Sequence, residues 1–380
     1  MGNKMREPVI ITFDVPSDIE LCDTATGADF GATKERLVYF GLGTDGNLYP
    51  VLRAHWMTED NLPLAEMIEA YNSAIRQIGH NPPEKAGFAV AGPIHNGSCD
   101  LTNSDKAVSE EQLRYLGIDA LLINDFFANV AAAPLLRQEH IVTLEHTAAA
   151  EGQYSSNKVV ALGPGGGTGV GFGEWMGEVF RPRPSEGGHT VYTPTGRLED
   201  SLVRYIREKV NAGRPVECEQ IASGTGVSYI FSFLANGKLP SPKREPRVDQ
   251  VRELRYNKNF TDLMHKVEKM RPPQAGREII QAFRDGFDGL RPGIDIFVDG
   301  IAIAAINQVQ AETAYGGTVY IFGGHARRTL SVIEDRFMRT FDNPYLFADK
   351  FRGTDVAVVP ARNIGAMGAA SLRLKPELYS

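Results

Sequence analysis

Three short groups of side chains in this sequence could do chemistry. The first is Asn124-Asp125, an amide and a carboxylate that directly follow an apolar run. The second is Ser185-Glu186-Gly187-Gly188-His189, in which a carboxylate and an imidazole flank a glycine pair. The third is Glu219, within Cys218-Glu219-Gln220. Carboxylates, amides and neutral imidazoles all form hydrogen bonds with hydroxyl groups, so these residues indicate a polyhydroxylated substrate.

A glycine-rich segment from Gly163 to Gly171 supplies a different chemistry. It holds six glycines in nine residues and follows the apolar run Val159 to Leu162. Glycine can take positive φ and leaves its N–H exposed, which suits the approach of phosphate oxygens. The segment lacks the Gly-Lys-Ser/Thr ending of a P-loop, so that motif positions no lysine here. The pattern predicts either a phosphate-binding loop or a glycine-rich hairpin turn.

The composition is typical of a globular protein and argues against a nucleic-acid partner. The 380 residues are 42% hydrophobic and 23% charged, with a formal net charge of −7, and they suffice for two domains. The three cysteines are scattered without a CxxC pair, so we expect no disulfide framework or zinc cluster, and a cytoplasmic location. No apolar run is long enough to span a membrane, and the first residues show neither a signal core nor a myristoylation motif, so we expect no membrane partner.

Alternating strands and helices must position these groups. Hairpin-linked strands are predicted in the first 52 residues, with turns at Gly31 and at Asp45-Gly46-Asn47. A helix is predicted over 62–78 from the spacing of its apolar residues, and another over 109–116 from a capping box at its start. Further predicted strands cover 85–91, 120–123, 159–162, 319–322 and 356–359, and further helices 126–136, 198–210, 223–234, 294–310 and 363–374. This order predicts an α/β fold, in which ligands collect at glycine-rich strand ends.

One stretch, residues 238–277, differs from the rest in charge. It holds eleven Lys/Arg and five Asp/Glu, a net charge of +6 that leaves −13 for the remaining residues. Prolines flank it on both sides. The pattern allows a flap that attracts anions, but a solvated surface insertion is the more common form of such a charge run.

The order of these motifs resembles the bacterial-type glucokinases, the non-ROK branch of the sugar kinases with an actin-like, ribonuclease-H-like ATPase fold. The most specific motifs of this resemblance are Leu122-Ile123-Asn124-Asp125-Phe126, Ser185 to His189 and Cys218 to Gly224. The resemblance extends from about Ala28 onward. The Cys-rich zinc motif of the ROK branch is missing. The resemblance implies a two-domain α/β fold with mixed sheets flanked by helices and a ligand cleft between the domains. The small domain would be 1–123 plus 362–380, and the large domain 124–361 with the basic insertion.

Near the N-terminus the chain departs from the family pattern. The family's Asp-x-Gly-Gly-Thr is here Asp29-Phe30-Gly31-Ala32-Thr33, which puts a methyl group beside the expected phosphate path. The first strand, normally apolar, is predicted only over Thr24 to Ala28. The first 28 residues also exceed what the family usually carries.

The resemblance implies that the chain phosphorylates glucose at the 6-hydroxyl with ATP and Mg²⁺, the first step of glycolysis. Asp125 would be the catalytic base that accepts the hydroxyl proton. Glucose and ATP would be its partners, and a homodimer is compatible with the resemblance. The sugar would be held by Asn103, Asn124, Asp125, Glu186, His189 and Glu219. The nucleotide would be held by Asp29, which would also hold Mg²⁺ directly or through water, and by Gly31, Ala32, Thr33, Gly165, Gly166, Gly167, Thr168, Gly169, Gly224, Gly323 and Gly324.

Each of these residues also has a simpler interpretation. Asp125 could be the N-cap of the following helix, Glu219 a solvated helix residue, and His189 a histidine satisfied within its turn. Two other functions stay open. One is a sugar-binding regulator of the same fold with a degenerate nucleotide site, suggested by Ala32; the other is an acyl-phosphate-forming kinase of the same superfamily. ADP or polyphosphate as the donor, and hexoses other than glucose, also stay open.

Overall fold

A computed structural model describes most of the chain, as two compact units. Unit 1 comprises Met1–Gln138, Phe172–Pro184 and Ala361–Ser380, and unit 2 comprises Glu139–Gly171 and Ser185–Pro360. The predicted division into small and large domains after Ile123 stays a prediction. The described residues are 7–31, 33–102, 106–146, 155–240, 246–342 and 348–380.

Unit 1 is built on one large sheet and one small sheet. The strands are β1 (Val9–Thr12), β2 (Leu21–Phe30), β3 (Lys34–Gly43), β4 (Leu48–Met57), β5 (Lys85–Val90), β6 (Ile94–His95), β7 (Ser98–Asp100), β8 (Ala107–Ser109) and β9 (Asp119–Asn124). The large sheet has the order β1-β4-β3-β2-β5-β9, and the small sheet β6-β7-β8. Strands β2, β3 and β4 are antiparallel, whereas β5 and β9 run parallel to β2.

Strand β2 is longer than predicted. It covers ten residues, not the five from Thr24 to Ala28, because it pairs with β3 on one side and with β5 on the other. Its small residues fit a helix that lies on it: a Cβ at Gly27 would be 2.0 Å from the Ala366 carbonyl oxygen. The weakly apolar sequence therefore reflects close helix packing on a central strand.

Four helices complete unit 1: α1 (Leu64–Gln77), α2 (Glu110–Tyr115), α3 (Asp125–Ala131) and α12 (Ile364–Leu374). The predicted apolar face of α1 is buried, with Met67, Ile68 and Tyr71 almost fully enclosed. The predicted cap of α2 is also present, since the Ser109 hydroxyl accepts a hydrogen bond from the N–H of Gln112. These helices pack on the sheet. The carboxyl ends of its parallel strands β2, β5 and β9 are where functional residues are expected.

Unit 2 contains a mostly parallel sheet. Its strands are β10 (Val142–Leu144), β11 (Lys158–Pro164), the first residues of β12 (Thr168–Met176), β14 (Thr318–Ile321) and β15 (Asp355–Val358); β13 is Val179–Ser185. The order begins β10-β15-β14-β11. Strands β11, β14 and β15 are parallel, and β10 is antiparallel to β15.

The helices of unit 2 surround this sheet. They are α4 (Arg197–Lys209), α5 (Gly224–Asn236), α6 (Pro246–Arg255), α7 (Lys258–Val267), α8 (Pro272–Arg284), α9 (Arg291–Glu312), α10 (Gly324–Phe341) and α11 (Ala348–Phe351). Helix α9 is buried on nearly all sides, which explains its long apolar sequence. Within the described part of the chain, no helix has the length and apolar character needed to cross a membrane.

The described part of the basic stretch packs on unit 2 through a few apolar side chains. Its described residues form α6, α7 and the start of α8, and their apolar side chains, such as Val251 and Phe260, are buried. Helix α8 packs so closely on α5 that a Cβ at Gly276 would be 1.9 Å from the Gly224 carbonyl oxygen. The charged side chains of these helices are exposed or half-buried, so the prediction of a solvated charge run stands, whereas the buried apolar faces of the helices were not predicted.

Candidate active site

In unit 1, Asp125 stands where β9 ends and α3 begins. The residue before it, Asn124, caps the helix: its Oδ1 accepts hydrogen bonds from the N–H groups of Phe126 and Phe127, both at 3.0 Å. The interpretation of Asp125 as the N-cap is therefore wrong, since Asp125 is already the first helical residue. The cap leaves the Asp125 carboxylate available for another role.

The surroundings of Asp125 make its carboxyl more basic than usual. Burial raises the pKa of Asp125 to about 6, and the charge of Asp29 adds to this effect. Hydrogen bonds from the backbone N–H groups of Phe126 and of Asp125 itself act in the opposite direction. A carboxyl with this pKa is mostly ionised at neutral pH and still accepts a proton readily, as a general base must.

Asp29 lies near the carboxyl end of β2, directly opposite Arg36 on β3. Arg36 Nη1 donates to Asp29 Oδ2 at 2.5 Å, whereas Asp29 Oδ1 accepts no hydrogen bond from any residue that the structure describes. Carboxylate oxygens are the ligands that Mg²⁺ prefers, and the repulsion between Asp29 and Asp125 would be relieved by a cation. Asp29 Oδ1 could therefore supply one ligand of a magnesium ion, although Arg36 already pairs with the other oxygen of this carboxylate.

The turn after Asp29 is partly described. The N–H of Gly31 donates to the Lys34 carbonyl at 3.1 Å, which closes the turn between β2 and β3. Thr58, which directly follows β4, stabilises this turn: its hydroxyl donates to the Gly31 carbonyl, and its N–H donates to the Thr33 carbonyl. The Thr33 side chain is exposed. Nucleotide binding by Gly31 and Thr33 stays a prediction; Ala32 and Asn103 lie outside the described residues.

In unit 2, three carboxylates surround His189. The His189 ring donates through Nδ1 to Glu217 Oε2 at 2.8 Å, and its Nε2 is 3.8 Å from Glu186 Oε2. Glu219 lies on the same side, where its Oε2 accepts from the Thr168 N–H at 3.4 Å. Glu186, His189 and Glu219 are thus brought together as predicted. Glu217 was not predicted, because no local pattern marks a partner 28 residues away.

The charge around His189 raises the pKa of its imidazole. The hydrogen bond to Glu217 is the main cause, the charges of Glu219, Glu217 and Glu186 add to it, and burial opposes it. The Glu186 side chain is 92% exposed, so it is open to a ligand. One ligand atom from each of His189, Glu217 and Glu219 lies within 4.8 Å of the others, so this group could also hold a divalent cation.

The glycine pair before His189 sets the position of this group. A Cβ at Gly188 would be 2.0 Å from the Thr168 carbonyl oxygen, and one at Gly187 would be 2.6 Å from Gln308 Oε1. Only residues without a side chain let this segment lie so close to β12 and α9. The short 3-10 helix Gly187–His189 then presents the imidazole beside the carboxylates.

The glycine-rich segment forms a hairpin turn between β11 and β12, as the simpler interpretation predicts. The Gly165 N–H donates to the Gly167 carbonyl at 2.8 Å. The turn rests on the start of α5: the Gly165 carbonyl accepts from the Gly224 N–H, and the Gly166 carbonyl accepts from Thr225. The Thr168 hydroxyl donates to the Ala222 carbonyl. Phosphate binding by Gly165–Gly169 and Gly224 stays a prediction, although both the hydroxyl and the N–H of Thr168 already donate within the protein, to Ala222 and to Glu219.

Gly323 and Gly324 lie at the same edge of this sheet, because β14 is parallel to β11 and the two strands end together. Gly323 has a φ of 98°, a conformation that favours glycine, and a Cβ there would be 3.2 Å from the Pro164 carbonyl oxygen. Gly324 opens α10, and no atom lies within 4 Å of its Cβ position. An exposed turn and an open helix N-terminus at one sheet edge fit a phosphate-containing ligand.

Comparison with known proteins identifies relatives over almost the whole chain. The model of the family "Glucokinase" matches residues 27–375. The glucokinase of Nostoc sp. (strain PCC 7120) is 29% identical over 347 residues, 90% of this chain and 96% of the relative. The glucokinase of Trichormus variabilis (strain ATCC 29413) is 30% identical over the same shares of both chains.

Solved structures agree at the level of the fold. A glucokinase from an Antarctic psychrotroph has a TM-score of 0.66 and 23% identity, and the alignment covers 92% of this chain and 98% of that one. A ROK family glucokinase from Streptomyces griseus, solved with glucose and AMPPNP, has a TM-score of 0.52 and 17% identity over 92% and 98% of the two chains. These likenesses confirm the predicted sugar-kinase fold.

Proposed function

The chain belongs to the glucokinase family, and from this premise we propose that it transfers the terminal phosphoryl group of ATP to the 6-hydroxyl of glucose. The products are glucose 6-phosphate and ADP, and the reaction is the first step of glycolysis. The observation that carries the proposal is Asp125, which directly follows strand β9 as the first residue of α3, does not cap that helix, and has a pKa of about 6. We propose a cytoplasmic location, in keeping with three free cysteines.

Asp125 is assigned the proton transfer. As O6 of the sugar forms its bond to the γ-phosphorus, the hydroxyl proton moves to the Asp125 carboxylate. The bond between the γ-phosphorus and the bridging oxygen of ATP breaks, and its electron pair leaves with ADP. A base with a pKa near 6 accepts the proton during the reaction and returns it to solvent at neutral pH.

The sugar hydroxyls are assigned to Asn124, Glu186, His189 and Glu219. Because Asn124 Oδ1 is occupied by the helix cap, its amide Nδ2 is the atom left to donate to the sugar. Glu217 holds the His189 Nδ1 proton, so Nε2 is the ring atom left for a sugar hydroxyl. It accepts in the neutral ring and donates in the protonated ring, which the neighbouring carboxylates favour. Glu217 is therefore proposed as a positioning residue for His189. A homodimer stays a prediction.

The nucleotide and its metal are assigned to the glycine turn, to Gly323-Gly324 and to Asp29. When bound, Mg²⁺ would offset the charge of the phosphates, and Asp29 would hold it through its unpaired Oδ1 or through water. The presence of AMPPNP in the Streptomyces griseus structure supports a nucleoside triphosphate as the donor.

A coupled assay that reports glucose 6-phosphate tests the proposal. Hexoses and phosphoryl donors are varied separately, with ATP, ADP and polyphosphate as donors and with Mg²⁺ present or chelated. We expect turnover with glucose and Mg·ATP. Glucose binding without turnover on any donor would instead support the sugar-binding regulator.

A further inference from the structure

The short 3-10 helix Cys218–Gln220 supports two of the carboxylates beside His189. Glu219 lies within this helix, and Glu217 caps its start. A 3-10 helix of three residues has few hydrogen bonds of its own, and their geometry is poor. The helix follows an irregular turn, in which Ala212 and Gly213 both have positive φ. Its backbone alone is therefore a weak support for the two carboxylates.

A pair of side-chain amides supports this helix from one side. Asn211, just after α4, exchanges two hydrogen bonds with Gln220: Asn211 Nδ2 donates to Gln220 Oε1, and Gln220 Nε2 donates to Asn211 Oδ1, both at 2.7 Å. Asn211 Nδ2 also donates to the Pro215 carbonyl at 2.8 Å. Asn211 has only 7% of its surface exposed. A buried amide with both its donor and its acceptor atoms occupied holds its partner in one orientation.

Gln220 connects the amide pair to the carboxylates. Its Oε1 also accepts from the Glu217 N–H at 3.1 Å, and its own N–H donates to the Glu217 side chain, so the two residues form a capping box. Glu217 Oε2 in turn accepts from His189 Nδ1 at 2.8 Å. Glu219 directly precedes Gln220 in the chain, so the same contacts hold its backbone.

The segment that carries His189 is attached to the same helix. The Cys218 N–H donates to the Thr190 carbonyl at 2.8 Å. Beside the helix, the Glu219 carboxylate lies against the glycine turn, since a Cβ at Gly167 would be 2.6 Å from Glu219 Oε2. Movement of the helix would therefore displace both the carboxylates and the imidazole.

We propose that Asn211 and Gln220 are positioning residues of the sugar site. Their amide pair holds Glu217, Glu219 and His189 in the arrangement that binds sugar hydroxyls. The inference rests on the proposed phosphorylation of glucose. Hydrogen bonds weaken steeply when their geometry is distorted, and a displacement of about 0.5 Å is enough to impair a binding site.

The expected effect is on glucose binding and not on phosphoryl transfer. The proton is assigned to Asp125, which belongs to unit 1, whereas both amides belong to unit 2. Loss of interactions that are made equally with the substrate and with the transition state raises KM and leaves kcat unchanged. A purely structural role of the amides predicts a lower stability of unit 2 with no change in either constant.

Steady-state kinetics and calorimetric titration of the full chain with glucose test the proposal. The variants are Asn211→Ala and Gln220→Met, of which the second keeps the length of the side chain and removes its hydrogen bonds. We expect each to raise the KM and the Kd for glucose about tenfold. The kcat and the KM for ATP should stay within about threefold of the wild type. The double variant should bind glucose about as weakly as the weaker single variant, because either substitution breaks the same pair.

Asn257→Ala is the matched control. Asn257 is also an asparagine of unit 2, and its side chain accepts from the Phe260 N–H at the start of α7. Loss of this cap should lower the melting temperature without a change in glucose affinity.

Gln220 is half-buried, so Gln220→Met keeps the test decisive if Asn211→Ala does not fold. An unchanged glucose Kd in Gln220→Met would overturn the proposal. An equal rise of the Kd in Asn257→Ala would overturn it as well, as would a fall in kcat without a change in KM. Because calorimetry requires no turnover, the glucose affinities decide this proposal even if the coupled assay refutes the proposed reaction.

Discussion

At the residue scale, the proposed chemistry depends on the different roles of two neighbouring residues, Asn124 and Asp125. Asn124 and Asp125 are both good N-cap residues, and the helix takes Asn124. Asp125 is then held in a half-buried place beside Asp29, where ionisation is disfavoured. The fold thus keeps a base of suitable strength, at a cost in the free energy of unfolding.

Asp125→Asn should remove most turnover and leave glucose binding nearly unchanged. The amide keeps the shape and some hydrogen bonding of the side chain but cannot accept the proton. Loss of a general base typically costs about 10²–10⁴-fold in rate. Steady-state kinetics measures the loss, with Asp100→Asn as a control because Asp100 is an exposed carboxylate of the same unit. A rate within about threefold of the wild type would refute the assignment.

The same substitution should stabilise the protein at neutral pH. The folded-state pKa of Asp125 is about 6, above the ordinary value of 3.8, so the folded state favours the neutral carboxyl. The cost of ionising it is absent below pH 3.8, grows as the pH rises towards 6, and is complete above that. Asp125→Asn should therefore raise the free energy of unfolding above pH 7 by at most about 3 kcal/mol. Denaturant unfolding at pH 5 and pH 8 measures the difference, and a gain that is larger at pH 5 would contradict this origin.

Glu186→Gln and His189→Ala should each raise the KM for glucose by about ten- to a hundredfold. Each leaves a sugar hydroxyl without its partner, which costs about 1–3 kcal/mol. The KM for ATP should change much less. If both side chains were merely solvated, neither constant would change; if the group were a metal site, zinc would restore the activity of His189→Ala. Kinetics with each substrate varied in turn distinguishes these results.

At the scale of elements, the sequence predicted the order of strands and helices well, because apolar periodicity and turn residues mark them locally. The prediction failed where tertiary packing determines the extent or the burial of an element. The true length of β2 depends on pairing with both neighbours, which Thr24 to Ala28 alone does not reveal. In the basic stretch, the charges concealed apolar residues such as Val251 and Phe260, whose burial depends on α5 and α9.

The candidate site was predictable to a similar degree. Short motifs contain Asp125, Glu186, His189 and Glu219, and their types suit a sugar. Neither the ion pair of Glu217 with His189 nor the burial of Arg53 could be predicted, since the first spans 28 residues and the second depends on strand register.

Gly276→Ala should destabilise unit 2 by several kcal/mol or force α8 away from α5. The added methyl group would be 1.9 Å from the Gly224 carbonyl oxygen, a contact that only backbone movement relieves. Thermal and denaturant unfolding measure the effect, with Arg284→Ala, an exposed change on the same helix, as the control. Equal stability of the two variants would show that the contact is not required.

At the scale of the whole molecule, charge is distributed unevenly. The chain carries a net charge of −7, which disfavours the approach of an anionic substrate. Yet Lys34, Arg36 and Arg53 lie on one face of the large sheet of unit 1, and the charge of Arg362 also acts on Lys34. Local fields of this kind raise the concentration of an oppositely charged ligand even when the net charge opposes it. The acidic balance therefore does not conflict with a phosphate-containing substrate.

Glucose should stabilise the whole chain against heat. A ligand present at a hundred times its Kd adds about 2.7 kcal/mol to the stability of the state that binds it. For a chain of this size we expect a rise in Tm of several degrees. Differential scanning fluorimetry measures the rise, which should be strongly reduced in His189→Ala at the same glucose concentration. An equal rise in both proteins would show that glucose binds elsewhere.

The cap at the start of α3 has a practical consequence. Because Asn124 holds the first turn of the helix, Asp125 can be replaced without loss of that turn. An enzyme that keeps its scaffold and loses only its base becomes a substrate trap. Asp125→Asn should therefore hold glucose and Mg·ATP together unreacted for long enough to crystallise, so that the ternary complex can be seen before the phosphoryl group moves.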